Sequence, residues 1–238
     1  MRQIILAINA LLKFKAYTLI NVLGLACSLA CVLTVARYIH QENTVNQCFP
    51  EYKRICLIKT STSSGENFLG GYRSGLEKNP DVEQFTVIYQ ISDMPALFGE
   101  QEIAANAFSV DSTFFKIFPY RVIAGSGRIV RPRDVVITRS FWKKKLGGKN
   151  AIGATFKNTK GNKFTIIGVV DDPDTKTSWM PDIFMSDELD EFLFFDPIYA
   201  MLMAPDTDIA LLNKKYSKEH PRSKWSTYET VRYQYLPL

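Results

Sequence analysis

The sequence predicts an α+β protein in which one N-terminal transmembrane helix precedes a mixed extracytoplasmic domain. Three observations carry this reading. The run Ala16 to Ala36 (AYTLINVLGLACSLACVLTVA) holds 21 residues without a charge. After Ile39, β-rich segments and short helical patterns alternate irregularly, with several strands adjacent, unlike the regular βαβ order of a parallel sheet. No internal repeat is present.

The first element, residues 1–15, reads as an amphipathic helix lying in the headgroup layer. Ile4, Ile5, Ile8, Leu11 and Leu12 recur on one side, and Arg2, Lys13 and Lys15 supply interfacial basic anchors. Residues 16–39 read as the transmembrane helix. The 21 uncharged residues span roughly 31 Å as a helix, close to the hydrocarbon thickness of a bilayer. A signal-peptide core is shorter, although Thr34-Val35-Ala36 loosely resembles a cleavage site and leaves that reading open. A soluble core helix would carry a polar stripe, and this run has none. The basic residues before the span place the N-terminus in the cytoplasm.

Within the span, Gly24 and Ser28 lie four apart, as do Ala26 and Ala30, a spacing that lets another helix approach closely. The same small residues are also simply common in membrane helices. Asn21 is polar at membrane depth and is expected to face protein. Asn21, Gly24 and Ser28 are therefore the candidate packing residues. The segment 37–46 has no Pro or Gly, so the helix can run on past the membrane as a rod.

In the soluble part, Arg54 to Thr60 suits a strand and Thr60 to Asn67 a polar loop. Phe68 to Lys78 suits a short helix closed by Asn79-Pro80. Val82 to Ile91 and Ile103 to Val110 are strands. Asp111-Ser112 can cap a helical turn that Pro119 ends. Asp134 to Thr138 is a strand. Ser140 can cap the helix FWKKKL, which stops at Gly147-Gly148 with its lysines at the dipole's negative end. Phe164 to Val170 is a strong strand; Ile183 to Ser186 and Tyr199 to Ala204 are weaker ones. Asp206 or Asp208 can cap a final helix to about Tyr216.

Several chemistries lack their residues. With 29 basic and 24 acidic residues, the net charge of +5 does not suggest nucleic-acid binding. Cys27, Cys31, Cys48 and Cys56 form no CxxC and read as free thiols. GGKN at 147–150 lacks the Lys-Ser/Thr of a phosphate loop and reads as a helix stop. Asp171, Asp172 and Asp174 lack the alternation and the glycine of a calcium loop. The two histidines, His40 and His220, sit near no nucleophile motif. No catalytic, cofactor or metal site is expected.

The segments ALLKFKAYTLINVLGLACSLAC, FPEYKRICLIKT, DSTFFKIFPYRVIAG, RDVVITRSFWKKKLGGKNAIGATF, FTIIGVVDDP and APDTDIALLNKKY resemble, in that order, the FtsX/MacB-like ABC-transporter permeases. The likeness runs from Met1 to about Leu236. It implies a porter-like periplasmic core from residues 40–134 and 183–238, with a β-rich lobe, 135–182, inserted between them. It also implies a non-catalytic subunit in the bacterial inner membrane, with its C-terminal domain periplasmic. The implied partners are membrane lipid, a separate ABC ATPase, a second permease copy and a periplasmic protein or substrate, with no cofactor and no nucleic acid. In this family, ATP-driven motion of the membrane helices rearranges the outer domains. Family permeases carry four membrane helices, of which this sequence contains the first. The second reading is a single-pass receptor or adaptor whose outer domain binds a ligand or protein.

Overall fold

Twenty-nine residues, Lys15–Asn43, form one unbroken helix, α1, none of whose residues is buried. The computed structural model describes residues 13–62, 67–69, 79–148, 150–186, 197–216, 220–221 and 230–238. The chain divides into two units, Met1–Val45 and Asn46–Leu238. Helix α1 is, among the described residues, the one helix long and apolar enough to cross a membrane. Its length is about 43 Å, so it outlasts the roughly 30 Å hydrocarbon layer. Two of its hydroxyls bond within the helix: Ser28 Oγ donates to the Gly24 carbonyl and Thr34 Oγ1 to the Ala30 carbonyl, each at 2.8 Å. The helix ends where the Thr44 amide and hydroxyl both turn back to the His40 carbonyl. The amphipathic pattern expected over residues 1–12 lies outside the described residues.

The second unit begins with β1 (Ile55–Thr62), β2 (Asn67–Leu69), β3 (Val82–Phe98), β4 (Gln101–Val110) and the turn of helix α2 (Phe114–Ile117). Then come β5 (Val122–Gly125), β6 (Asp134–Thr138), α3 (Arg139–Lys145), β7 (Thr155–Lys157) and β8 (Lys163–Val170). It closes with β9 (Ile183–Ser186), β10 (Ile198–Met203), α4 (Ile209–Tyr216), β11 (His220–Pro221) and β12 (Thr230–Pro237). The described strands join in one sheet of order β11-β12-β1-β10-β3-β4-β9-β6-β8-β5, with β2 on β1 and β7 bridging β3 and β8. Among the described residues, only β4·β9 and β6·β8 pair in parallel. The unit is therefore α+β, as the irregular element order predicts.

Period-two alternation sends the strand residues to two covered faces. On one face, Ile55, Ile88, Phe108, Val136, Phe184 and Ala200 share a core with Phe49, the α2 residues Phe114 and Ile117, and Trp179. The opposite face carries two cores. Near one end, Val135, Ile137, Phe156, Phe164, Ile166 and Ile183 pack under Phe141 of α3. Near the other, Cys56, Ile58, Val87, Tyr199, Met201 and Tyr235 pack under Leu212 of α4. Coverage on both faces explains why all six residues of β10, IYAMLM, are buried and why that strand has no polar alternation. Each fully buried Phe or Ile contributes roughly 1.5–3 kcal/mol.

The helix ends follow local chemistry. Asp111 Oδ1 accepts from the amides of Thr113 and Phe114 and from the Thr86 hydroxyl, tying the start of α2 to β3. Thr138, rather than the expected Ser140, caps α3 by accepting from the Phe141 amide, because Ser140 already stands inside the first turn. Gly147 and Gly148 both take positive φ, and the Gly148 amide bonds the Trp142 carbonyl, so this glycine pair ends a helix. Of the two candidate caps for α4, Asp208 does the work, accepting from Ala210 and Leu211. Most of the segment 68–78, expected to be helical, lies outside the described residues; its first two residues belong to β2.

Gly168 lies where β5 meets β8, and a Cβ there would collide with the backbone carbonyl of Ser126. Gly24, by contrast, has nothing within 4 Å. Gly168→Ala should destabilise the domain by about 1–3 kcal/mol, measured by denaturant unfolding of the full chain in detergent, while Gly24→Ala leaves the midpoint unchanged.

Candidate functional site

The segment linking β8 to β9, residues 171–182, is stitched into its surroundings along its whole length. At its start, Asp171 meets two arginines, Arg121 before β5 and Arg139 of α3, the latter at 2.9 Å. Asp172 accepts from the Ser140 hydroxyl at 2.7 Å and the Ser140 amide at 3.1 Å. At its end, the Asp182 carboxylate accepts from the Asn106 amide, the Asp182 amide donates to the Asn106 carbonyl, and the Asp182 carbonyl accepts from Thr138. The carboxylates of Asp171, Asp172 and Asp182 thus serve protein donors. Among the described residues, no three His, Cys, Asp or Glu side chains gather as a metal set.

The middle of this loop holds the point where the chain enters the sheet domain. Asn46 is buried and has φ 63°, the left-handed region that Asn tolerates better than most residues. Its amide donates to the Lys176 carbonyl at 2.9 Å. Its side-chain oxygen accepts from the Thr177 hydroxyl at 2.7 Å and the Ser178 amide at 3.3 Å. Thr177 Oγ1 in turn accepts from the Trp179 amide, and the Trp179 carbonyl accepts from the Tyr120 hydroxyl. Beside this chain of bonds, Phe49 makes edge contacts with Phe118 at 5.0 Å and Tyr120 at 5.7 Å. One continuous polar and aromatic cluster therefore joins Asn46 to the β8–β9 loop and to the approach to β5.

A half-open cleft of about 350 Å³ lies against this cluster, lined by Cys48, Phe49, Tyr120, Arg121 and the acidic run 171–174. Burial pushes the Cys48 thiol up, helped by the negative Asp174. Burial likewise raises the Tyr120 phenol well above its usual range. Both stay protonated at neutral pH, so neither is a ready nucleophile. The hydrogen bond from Arg121, with the charges of Arg121 and Arg139, holds Asp171 below the usual carboxylate range. Cys56, deep in the sheet, is pushed up to about 12 by burial. The geometry of this cleft holds the β8–β9 loop to its neighbours.

The residues singled out by sequence fall elsewhere. Asn21, Gly24 and Ser28 lie three and four apart on one face of α1, all exposed. The Ser28 hydroxyl is spent on the Gly24 carbonyl, which leaves small size as what this pair offers a neighbour. Lys13 and Lys15 flank the start of α1, while Arg2 lies outside the described residues. His40 belongs to α1 and His220 to β11, and all four cysteines are free. Sequence reading missed Asn46. An Asn shortly after a helix that lacks a glycine stop is the signal that could have found it.

The model of the MacB-like periplasmic core domain matches residues 18–215. Among solved structures, a domain assigned to a permease protein from Porphyromonas gingivalis superposes with a TM-score of 0.64 at 19% identity, covering 80% of this chain and 93% of that one. The periplasmic region of MacB from Actinobacillus actinomycetemcomitans superposes with a TM-score of 0.55 at 15% identity, covering 72% and 83%. At such identities these likenesses concern the fold alone. No curated protein matches.

Two outcomes follow for the loop. Asn46→Ala removes the acceptor for Thr177 and Ser178 and leaves a β-carbon at positive φ. It should cost about 1–3 kcal/mol in thermal or denaturant unfolding, and Asn46→Gly, which relieves the backbone, should cost less. Asp171 has its pKa lowered by folding, so the stability it lends is present above the ordinary carboxylate range and is lost as pH falls through the depressed value. The protection of the 171–182 amides, taken relative to their intrinsic exchange at each pH, should hold steady from neutrality down to about pH 5 and fall below the carboxylate range; Asp171→Asn should remove that acid step.

Proposed function

The chain belongs to the family of MacB-like periplasmic core domains, and from that premise we propose that it is a non-catalytic permease subunit of an ABC transporter of the mechanotransmission type. A separate ATPase would drive α1, and the sheet domain would carry the motion to an extracytoplasmic protein or substrate. The observation that supports this best is the unbroken run of α1 through the whole apolar span to Asn43, followed after only two residues by the clamped Asn46. A rod passes on displacement or rotation, whereas a flexible linker absorbs it.

In this reading the N-terminus is cytoplasmic, the membrane is the bacterial inner membrane, and Arg2, Lys13 and Lys15 rest on headgroup phosphates. Asn21, Gly24 and Ser28 form the face on which another membrane helix, from a second copy or a further span, packs closely. Residues 135–182 act as a lobe set into a porter-like core of 40–134 and 183–238. Within that lobe, α3, β7 and β8 pack on a core that they share with β3, β4 and β9. The receptor reading draws its support from the cleft beside Cys48 and Tyr120. It expects a small molecule that raises the melting temperature of the full chain.

Purification of the full chain from its native membranes in mild detergent, followed by mass spectrometry, should recover an ABC ATPase in constant ratio to it. Recovery of the chain without any ATPase would overturn the permease reading.

A further inference from the structure

The modest net charge of the chain conceals a steep local imbalance. Residues 121–170 contain twelve Lys and Arg against one acidic residue, Asp134, while the rest of the chain is net acidic, with seventeen basic against twenty-three acidic residues. Asp134 is the single carboxylate in this stretch, and it accepts from the Arg131 amide.

The strand register gathers half of these cations at one end of the sheet. Lys157 and Lys163 stand directly opposite each other in the β7·β8 pair, and Lys160 lies in the turn between them. The turn is firmly built: Asn158 Oδ1 accepts from the Lys160 and Asn162 amides, and Gly161 takes φ 80°. Arg133 reaches the same turn, donating to Asn162 Oδ1 at 3.3 Å. The loop before β6 adds Arg128 and Arg131. All six cations are exposed, and among the described residues none has an acidic partner. Like charges directly across a strand pair destabilise it, so the fold retains a cationic hairpin at a cost. Val130, between Arg128 and Arg131, is 74% exposed, the highest value among the large apolar side chains of the described residues.

We propose that this end of the domain, formed by loop 126–133 and the β7–β8 hairpin, is a docking surface for an acidic segment of an extracytoplasmic partner protein. The cations would meet its carboxylates, and Val130 would supply an apolar contact among them. The cations, with an exposed valine among them, match an acidic peptide that also carries an apolar side chain. The chain enters the domain at Asn46, beside the loop that follows the C-terminal end of β8. The hairpin lies at the N-terminal end of β8, roughly 25 Å away along the strand. The entrance itself is mixed in charge, with Arg121 and Arg139 standing beside Asp171, Asp172 and Asp174.

The proposal rests on the reading that the domain acts on an extracytoplasmic partner. Its test needs no ATPase, so either can fail alone. The full chain in nanodiscs of neutral lipid is titrated with fluorescent poly-L-glutamate and read by anisotropy. Binding is expected, weakening as salt rises from about 0.05 to 0.15 M. K157E/K160E/K163E should weaken it by about tenfold or more, while the charge-matched K53E/K116E/K214E should change it little. Should the hairpin reversal fail to fold, K157Q/K160Q/K163Q gives the same comparison. Absence of binding, equal loss in both reversed variants, or capture of phosphatidylglycerol vesicles in place of the peptide would overturn the proposal.

Discussion

The side-chain oxygen of Asn46 accepts hydrogen bonds from Thr177 and Ser178 at the place where the chain enters the sheet domain, and its amide is held by Lys176. A buried amide of this kind must have its partners, since leaving it unpaired costs about 1–3 kcal/mol. The left-handed backbone at Asn46 turns the chain toward Phe49, which then inserts against Phe118 and Tyr120. The same loop grips Arg121, Arg139, Ser140 and Asn106, so it links Asn46 to β4, α3 and the approach to β5.

In the proposed role, such a junction would transmit motion only with a stiff body behind it. The sheet supplies that stiffness through coverage on both faces, by the core around Phe114 and Trp179 on one side and the cores under α3 and α4 on the other. Close-packed interiors deform little before they rearrange. Within the domain, the entrance at one end of β8 and the cationic hairpin at the other are connected by a strand whose residues are fully or partly buried except at its first position, Lys163. The cleft beside the entrance holds a protonated thiol, a protonated phenol and a carboxylate held by two arginines.

Much of this was legible in the residues. The uncharged run gave α1, and the strands DVVIT and IFMS have the expected bounds because each is a short apolar run between turn signals. The family was legible from segment order and is borne out by the match over residues 18–215. Other features were harder to see. β12 pairs with β1 over seven residues, yet lies in a charged tail where only the alternation of Val231, Tyr233 and Tyr235 marks it. β5 and β7 are too short for periodicity to register. The imbalance over residues 121–170 vanishes when charge is summed over the whole chain. The entrance clamp depends on contacts between residues more than a hundred positions apart, which no local pattern encodes.

The central claim is that the entrance at Asn46 and the β8–β9 loop belong to the rigid body of the sheet. Native-state hydrogen exchange on the full chain in a membrane mimetic measures this directly. The amides of Asn46, Ser178 and Trp179 are predicted to exchange only as slowly as those of β8 and β9, by the same global opening. Exchange of these three at the rate of an exposed loop, while β8 and β9 stay protected, would contradict the account.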